Sequence, residues 1–277
     1  MSGSKIIRKT MIIETYAEWQ ERIKADPEMR ATPPQPSESS QPIIFDVILD
    51  ISGSMAEYYD ELVDCFNTIM IPSLQKAAER YKGPMRLGCL LFSNELVPAW
   101  RGFKTLKELG SAPLKREMLN QPGLGGTTAL YAAMRAGILW TAAGIERMYE
   151  DGEGASPKGK IIVLTDGANN EEPKEPGSVV QALDSIGKER ATDLMGLIDI
   201  DNPDPKKRRE PKNGKVIGFF NTEANGGLTR TQFDDMAAAT QFDGLGFYEI
   251  TKDGTPKERQ ARFRHYFQIF SSKAGGQ

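Results

Sequence analysis

The chain has 277 residues, of which 39% are hydrophobic and 26% are charged, and its formal net charge is -3. This composition is typical of a globular protein that can bury a substantial core, and it excludes a disordered or fibrous chain. The balance of charge gives no electrostatic reason to expect nucleic acid or an anionic membrane as a partner, and no apolar run approaches the roughly 20 residues of a transmembrane helix.

Two segments precede the main body of the chain. Residues 1–31 form an arm with enough apolar residues to pack on the body, and docking to a partner is the alternative. Residues 32–42 contain four prolines and three serines, a composition that predicts a stiff linker. The main domain is predicted over residues 43–271, followed by a flexible tail at 272–277.

The main domain alternates between apolar runs and helical patterns. Ile43–Leu49 is typical of a strand buried on both faces, and a helix kinked at Pro72 follows from Met55. The next elements are, in order, a strand over Arg86–Phe92, a short edge strand within Glu95–Phe103, a helix over Ala129–Tyr149 and a strand over Lys160–Thr165. The last predicted elements are a helix over Val179–Met195, a strand over Lys215–Phe220, a helix over Thr231–Thr240, a strand over Gly246–Ile250 and a helix over Lys257–Phe270.

This alternation predicts an α/β fold that is doubly wound. We expect a mostly parallel six-stranded sheet with helices on both faces and one short antiparallel edge strand. Residues 199–214 are expected to form an insertion loop. Two cysteines, Cys65 and Cys89, are too few for a disulfide framework, so they predict buried, inert thiols and a cytoplasmic location.

Three polar loops are expected to meet at one edge of this sheet. They contain Asp50, Ser52 and Ser54 after the first strand, Thr127 after two glycines, and Asp166 after the fourth strand. In open α/β sheets ligands bind beyond the carboxyl ends of the strands, so these loops converge if the first and fourth strands are neighbours.

The chemistry of these loops is that of oxygen donors. Carboxylates and hydroxyls without thiolate or imidazole select Mg²⁺, Mn²⁺ or Ca²⁺. Because most of the donors are neutral hydroxyls, the bound cation is expected to attract a carboxylate from outside the chain. Ser54 is also expected to cap the following helix. Glu171 and Glu172 are expected to rim the site and to repel or select partners.

The segments DISGSM, GGTT and LTDG together resemble the metal-ion-dependent adhesion site of the von Willebrand factor A (vWA) domain. Asp50, Ser52 and Ser54 match the Asp-x-Ser-x-Ser element of the family, Thr127 matches its threonine, and Asp166 matches its second aspartate. The resemblance covers residues 43–270. It implies a vWA fold, similar to the Rossmann fold, that binds a metal ion, usually Mg²⁺, and completes the coordination with a Glu or Asp of a partner protein.

Within the family, the run from DISGSM to GGTTALYAAM is similar to stand-alone bacterial vWA proteins of tellurite-resistance and stress gene clusters. This similarity implies a cytoplasmic adaptor in a bacterial or phage stress or defence complex, with a large partner such as an ATPase, kinase or phosphatase. The insertion at 199–214 departs from the family pattern.

Two functions of different classes follow from these residues. The first is a metal-dependent protein-binding module without enzymatic activity, because the loops hold ligands but no evident base or nucleophile. The alternative is a Mg²⁺-dependent hydrolase or phosphoryl-transfer enzyme that uses the same crevice, with Asp166 as base. The carboxylates that usually hold two metal ions in such enzymes are missing. No feature of the sequence places the single histidine, His265, near the crevice.

Overall fold

A computed structural model describes residues 42–81, 84–120, 126–150, 158–165 and 169–171, together with positions 21, 25, 255–258, 260, 261 and 264. Asp166, Glu172 and His265 lie outside these residues. So do nearly all of the predicted arm and linker, the 199–214 insertion, the tail, and the elements predicted between residues 179 and 250. The described positions within the predicted closing helix, Lys257–Phe270, are helical.

The sheet is built around β1 (Ile43–Asp50), which is buried along its whole length. It pairs in parallel with β2 (Met85–Phe92) on one side and with β5 (Lys158–Leu164) on the other. All of β2 is also buried, which explains why both strands read as nearly continuous apolar runs. Two short segments, β3 (Leu96–Pro98) and β4 (Lys104–Thr105), pair antiparallel with β2.

The strand order is β3-β2-β1-β5, with β4 also on β2. The chain therefore passes from β1 to one side of the sheet and returns to the other side of β1. The expectation that the first and fourth predicted strands are neighbours is confirmed. The order reverses between β1 and β5, and ligands in sheets of this kind bind beyond the carboxyl ends at such a point.

The described part of the sheet has five strands, whereas the sequence predicts six. The short antiparallel edge strand predicted within Glu95–Phe103 is present as β3, and β4 is a further short strand that the sequence did not predict. Gly102, with a φ of 75°, interrupts the extended backbone between them. The strands predicted over 215–220 and 246–250 lie outside the described residues.

One face of the sheet is covered by a helical stretch whose geometry changes along its length. A 3₁₀ helix (Gly53–Tyr58) leads into α1 (Tyr59–Cys65), a π-helical turn (Phe66–Met70) and α2 (Ile71–Tyr81). Two short helices, α3 (Leu106–Leu109) and α4 (Arg116–Leu119), join the same apolar core. The odd-numbered side chains of β1 belong to this core, which is apolar throughout.

The start of this helical stretch differs from the prediction. Ser52 occupies the N-cap position of the 3₁₀ helix without a side-chain capping hydrogen bond, and Ser54 lies inside the first turn. The capping role expected of Ser54 is therefore wrong. The backbone N–H of Ile71 donates to the Phe66 carbonyl across the π-helical turn, immediately before Pro72 interrupts the helical ladder. The kink at Pro72 stays a prediction.

The opposite face of the sheet is covered by α5 (Leu130–Glu150), which matches the predicted helix over Ala129–Tyr149. A Cβ added to Gly137 would come 2.4 Å from Ile48 Cδ1, and one added to Gly144 would come 3.2 Å from Ile44 Cδ1. The two glycines thus let α5 lie close on β1. Helices on both faces confirm the doubly wound arrangement. Neither α5 nor any other described helix combines the length and apolar character needed to cross a bilayer.

The two cysteines are free and buried, as predicted. Burial raises the pKa of the Cys65 thiol to about 12, with a smaller contribution from the charge of Asp64. Burial also raises the pKa of Cys89 well above its ordinary value, and Asp46 adds to this effect. Both thiols are therefore disfavoured as nucleophiles.

Candidate metal centre

Asp50 ends β1, and its carboxylate is held by two donors at the carboxyl edge of the sheet. Oδ1 accepts a hydrogen bond from the backbone N–H of Ser52 at 2.7 Å. Oδ2 accepts one from the hydroxyl of Thr165, which directly follows β5. All three residues are buried. The contact between Asp50 and Thr165 therefore joins the ends of the two strands between which the strand order reverses.

The turn after β1 brings two hydroxyl groups together. The Oγ atoms of Ser52 and Ser54 lie 3.2 Å apart, and Ser54 is exposed while Ser52 is buried. The Ile51 N–H donates to the Phe92 carbonyl at 2.7 Å, and the Tyr59 hydroxyl donates to the Ile51 carbonyl at 2.7 Å, so the turn is braced from two sides. Neighbouring oxygens in the octahedral shell of Mg²⁺, at about 2.1 Å from the ion, stand about 3 Å apart. The spacing of the two hydroxyls suits adjacent ligands of one small cation.

Thr127 precedes α5 in a loop that is tied to the end of β2. The Ala129 N–H donates to the carbonyl of Ser93, the residue after β2, at 2.9 Å. Gly126 lies beside Asn94, whose Oδ1 would be 3.5 Å from a Cβ at that position. Thr127 itself is exposed. This loop therefore places Thr127 at the same edge of the sheet as Asp50.

The segment 169–171, which follows β5, packs against the start of α5. The Thr128 N–H donates to Asn170 Oδ1 at 2.5 Å, and the Asn170 N–H donates to the Thr128 carbonyl at 2.9 Å. The Tyr131 N–H donates to Asn169 Oδ1 at 3.2 Å. Because the first N–H groups of an α-helix have no partner within the helix, Asn169 caps the first turn of α5. Asn170 binds Thr128, which lies two residues before the helix.

The structure brings together most of the residues predicted to bind a metal ion. Asp50, Ser52 and Ser54 share one turn, and Thr127 lies at the same edge of the sheet. Asp166 lies outside the described residues, although it follows Thr165 in the sequence. The role of these residues as metal ligands stays a prediction.

Sequence reasoning missed three residues that shape this edge. Thr165 follows an apolar strand directly, which is the same signal that pointed to Asp50. Asn169 and Asn170 form an adjacent pair of helix-capping residue types, but nothing nearby in the sequence indicates which helix they cap. Glu171 was expected only to rim the site. Instead its Oε1 accepts a hydrogen bond from the Thr127 hydroxyl.

The donor chemistry of this edge fits a hard divalent cation. Within the described ranges, no three His, Cys, Asp or Glu side chains cluster so as to hold a metal ion. Among the described residues, an ion here would use the Asp50 carboxylate together with hydroxyls, and a carboxylate oxygen can bind a cation while it accepts a hydrogen bond. Oxygen ligands of this kind suit Mg²⁺, Mn²⁺ or Ca²⁺.

No family model matches the chain, and no curated protein matches it. Similar solved structures include the PilB minor pilin from Streptococcus sanguinis, at 12% identity and a TM-score of 0.50, over 87% of this chain and 63% of that chain. A von Willebrand factor type A protein from Catenulispora acidiphila has 14% identity and a TM-score of 0.46, over 86% and 43%. Proximal thread matrix protein 1 of the mussel byssus, whose metal-ion-dependent adhesion site (MIDAS) motif is occupied by zinc, has 15% identity and a TM-score of 0.48, over 86% of this chain and 49% of that chain.

The likeness to the PilB minor pilin is one of fold, and it agrees with the predicted α/β class. This chain spans less than two thirds of the length of each of these three proteins, at 63%, 43% and 49%.

Proposed function

We propose that this protein is a vWA-type module that binds a divalent cation, preferably Mg²⁺, and uses it to bind a carboxylate of a partner protein. The proposed ligands are Asp50, Ser52, Ser54, Thr127 and Asp166. The observation that carries the proposal is the turn after β1, where a buried carboxylate stands beside two hydroxyls 3.2 Å apart, at the point where the strand order reverses. The resemblance of the three sequence motifs to the metal-ion-dependent adhesion site supports it.

The chemistry explains why such a site would recruit an acidic side chain. Three of the five proposed ligands are neutral hydroxyls, so the bound cation would keep part of its positive charge and offer a position to an external carboxylate. The protein's own groups orient the ligands. The Ser52 N–H and the Thr165 hydroxyl hold the Asp50 carboxylate, and Asn170 holds the loop that carries Thr127.

We propose a binding module and not an enzyme. Two of the groups that hydrogen-bond Asp50 are a backbone amide and a hydroxyl, which orient the carboxylate and do not act as general bases near neutral pH. The expected partner is a protein with an exposed Glu or Asp, such as an ATPase, kinase or phosphatase. The expected setting is a cytoplasmic stress or defence complex.

Metal binding is tested by titrating Mn²⁺ into the protein and measuring free Mn²⁺ by electron paramagnetic resonance. We expect saturable binding to the full chain and at least a tenfold weaker affinity in Asp50→Asn, because ligand charge sets the affinity of oxygen sites. The asparagine keeps a carbonyl oxygen for the Ser52 N–H, so the turn can still form. Asp60→Asn changes the same charge at a side chain that is 76% exposed and should bind as the unmodified protein does. Equal binding by all three proteins would refute the site.

Partner binding is tested by affinity capture from a native lysate, read by mass spectrometry. The baits are the full chain with Mg²⁺, the full chain with EDTA, and Asp50→Asn with Mg²⁺. We expect a protein that only the first bait retains, and the same set from all three baits would contradict a metal-bridged contact. A parallel screen of phosphate esters with Mg²⁺ and Mn²⁺ tests the enzymatic alternative. Turnover by the unmodified protein that is lost in Asp50→Asn would support an enzyme.

A further inference from the structure

The Glu171 carboxylate lies directly at the proposed metal site. Its Oε1 accepts a hydrogen bond from the hydroxyl of Thr127, one of the five proposed ligands. Glu171 is half-buried, whereas Thr127 is exposed. An acidic side chain of the chain itself therefore contacts an exposed residue of the proposed site.

The backbone around Glu171 holds this carboxylate in place. The Asn169 side-chain amide donates to the Glu171 carbonyl at 2.7 Å. The carbonyl oxygen of the same Asn169 amide accepts from Tyr131 N–H, and Asn170 exchanges hydrogen bonds with Thr128. Glu171 and Thr127 are thus carried by two segments that hydrogen-bond to each other. This arrangement of the backbone keeps the two side chains close.

The Thr127 hydroxyl and the Glu171 carboxylate are direct neighbours, so one cation could contact both. Ligand oxygens that are neighbours in an octahedral shell stand about 3 Å apart, which is also the range of a hydrogen bond. A carboxylate in contact with the Thr127 hydroxyl therefore lies close to where a neighbouring ligand of an ion on Thr127 would be. The threonine oxygen can bind an ion through a lone pair while its O–H continues to donate to the carboxylate.

We propose that Glu171 is an internal carboxylate ligand of the metal site, and that it holds the coordination position that a partner's Glu or Asp takes on binding. The proposal rests on the proposed function. It assigns Glu171 two effects: it strengthens the binding of the ion in the free protein, and it weakens the binding of an external carboxylate. Partner affinity is reduced by the fraction of molecules in which the internal carboxylate occupies the position.

The test compares the full chain with Glu171→Ala and with Glu117→Ala. Glu117 is an exposed glutamate on α4, and its replacement removes the same charge. Alanine at position 171 keeps the carbonyl that Asn169 binds, and Thr127 is exposed, so the variant should fold. Mn²⁺ affinity is measured by electron paramagnetic resonance, and the number of waters on bound Mn²⁺ is measured by water-proton relaxation.

We expect Glu171→Ala to bind Mn²⁺ about three- to tenfold more weakly and to show about one additional water on the ion, since a charged ligand has been removed. Acetate serves as the probe for an external carboxylate. It should displace this water from Glu171→Ala at a concentration several-fold lower than from the unmodified protein. Glu117→Ala should match the unmodified protein in all three measurements.

An unchanged number of waters in Glu171→Ala would overturn the proposal, whether or not the affinity changes. It would leave Glu171 as a hydrogen-bond partner of Thr127 alone. Failure of the proposed function itself looks different, because the unmodified protein would then show no Mn²⁺ binding that depends on Asp50.

Discussion

Asp46 and Asp50 lie on the side of β1 that faces α5, and both are 0% exposed, yet their surroundings have little in common. Asp46 lies in the middle of the strand, where Oδ2 accepts a hydrogen bond from the Thr141 hydroxyl at 3.2 Å and Oδ1 has no hydrogen-bond partner in the part of the chain that the structure describes. Asp50 lies at the end of the strand, where a backbone amide and the Thr165 hydroxyl bind its two oxygens.

The difference follows from which groups can reach each position. In the middle of the sheet, Asp46 is covered by a helix whose N–H groups are already used in helical hydrogen bonds, so only a side chain such as Thr141 can donate to it. At the carboxyl end, loops leave the strands and supply free N–H and hydroxyl donors to Asp50. Two aspartates of one strand face thus have different roles, one within the core and one at a candidate binding site.

The protonation of Asp46 reflects its position. Burial raises the pKa of Asp46 from 3.8 to about 8, and the hydrogen bond from Thr141 offsets only part of this effect. The carboxyl group is therefore neutral in the folded protein near neutral pH. A neutral carboxylic acid can remain under α5 where a carboxylate would need a charged partner.

The largest expected effect is on the pH dependence of stability. Between pH 4 and pH 8 the folded protein keeps the Asp46 proton that the unfolded chain has lost, so the folded state binds more protons. Stability should therefore fall as pH rises through this range, by up to about 1.4 kcal/mol per pH unit, and should level off above the folded pKa. Asp46→Asn should remove this slope. The measurement is the free energy of unfolding by denaturant at pH 5, 6, 7 and 8.

Asp60→Asn provides the control for this slope, because its side chain is 76% exposed. We expect Asp60→Asn to keep the pH slope of the unmodified protein, with at most a small offset from the loss of its exposed ion pair with Arg116. If Asp46→Asn also follows the unmodified protein, Asp46 is not a neutral core acid, and the contrast with Asp50 loses its basis.

A smaller effect is expected from packing, which also differs between the middle and the end of the sheet. A Cβ added to Gly88, in the middle of β2, would lie 2.7 Å from the Phe103 ring and 3.0 Å from Trp140, and these rings stack with centroids 4.4 Å apart. Neither ring can move far, so Gly88→Ala should destabilise the protein by about 1–3 kcal/mol. The measurement is the midpoint of denaturant unfolding.

Gly126→Ala is the matched substitution at the end of the sheet. Of the residues that the structure describes, the nearest atoms to the added Cβ belong to the Asn94 amide, at 3.5 Å or more, so the change in stability should stay within about 0.5 kcal/mol. Replacing Phe103 with leucine should relieve part of the loss in Gly88→Ala. Equal stability of the two alanine variants would mean that the middle of the sheet is no more tightly packed than its end.

The same contrast explains what the sequence could predict. β1, β2, β5 and α5 follow from apolar runs and helical periodicity, because burial on both faces leaves a strong local pattern. Asp46 was not recognised as a special residue, because one acid within an apolar run does not change that pattern. The split between β3 and β4 depends on the backbone conformation of Gly102, which composition alone does not reveal.

The candidate site was predictable where its residues are close in sequence or directly follow strands. Asp50, Ser52 and Ser54 lie within one short motif, and Thr127 follows a glycine pair. The contacts of Asn169 and Asn170 with the start of α5 and the residues just before it were not predictable. Their partners are backbone amides about 40 positions earlier in the chain, and a backbone amide has no sequence signature.

A smaller effect than that of Gly88→Ala is expected from the contact between Asn170 and Thr128 at the end of the sheet. Asn170→Ala removes the acceptor for the N–H of Thr128, a residue that is 3% exposed, and should destabilise the protein by about 1 kcal/mol. Asn170→Asp keeps an acceptor and places a negative charge at the start of α5, so it should retain the stability. Thermal and denaturant unfolding of the two variants measure the difference. Equal losses of stability in both would argue against a role for the Asn170 side chain as the acceptor for the Thr128 N–H.

The alanine variant also tests whether the end of the sheet acts as one unit. If Asn170 holds Glu171 against Thr127, Asn170→Ala should increase the number of waters on bound Mn²⁺ in the same direction as Glu171→Ala, and Asn170→Asp should not. Gly88→Ala, in the middle of the sheet, should lower stability without changing that number. If the number of waters on bound Mn²⁺ rose in every destabilised variant, the site would be responding to the lower stability of the fold. It would then not depend specifically on the segment that carries Glu171.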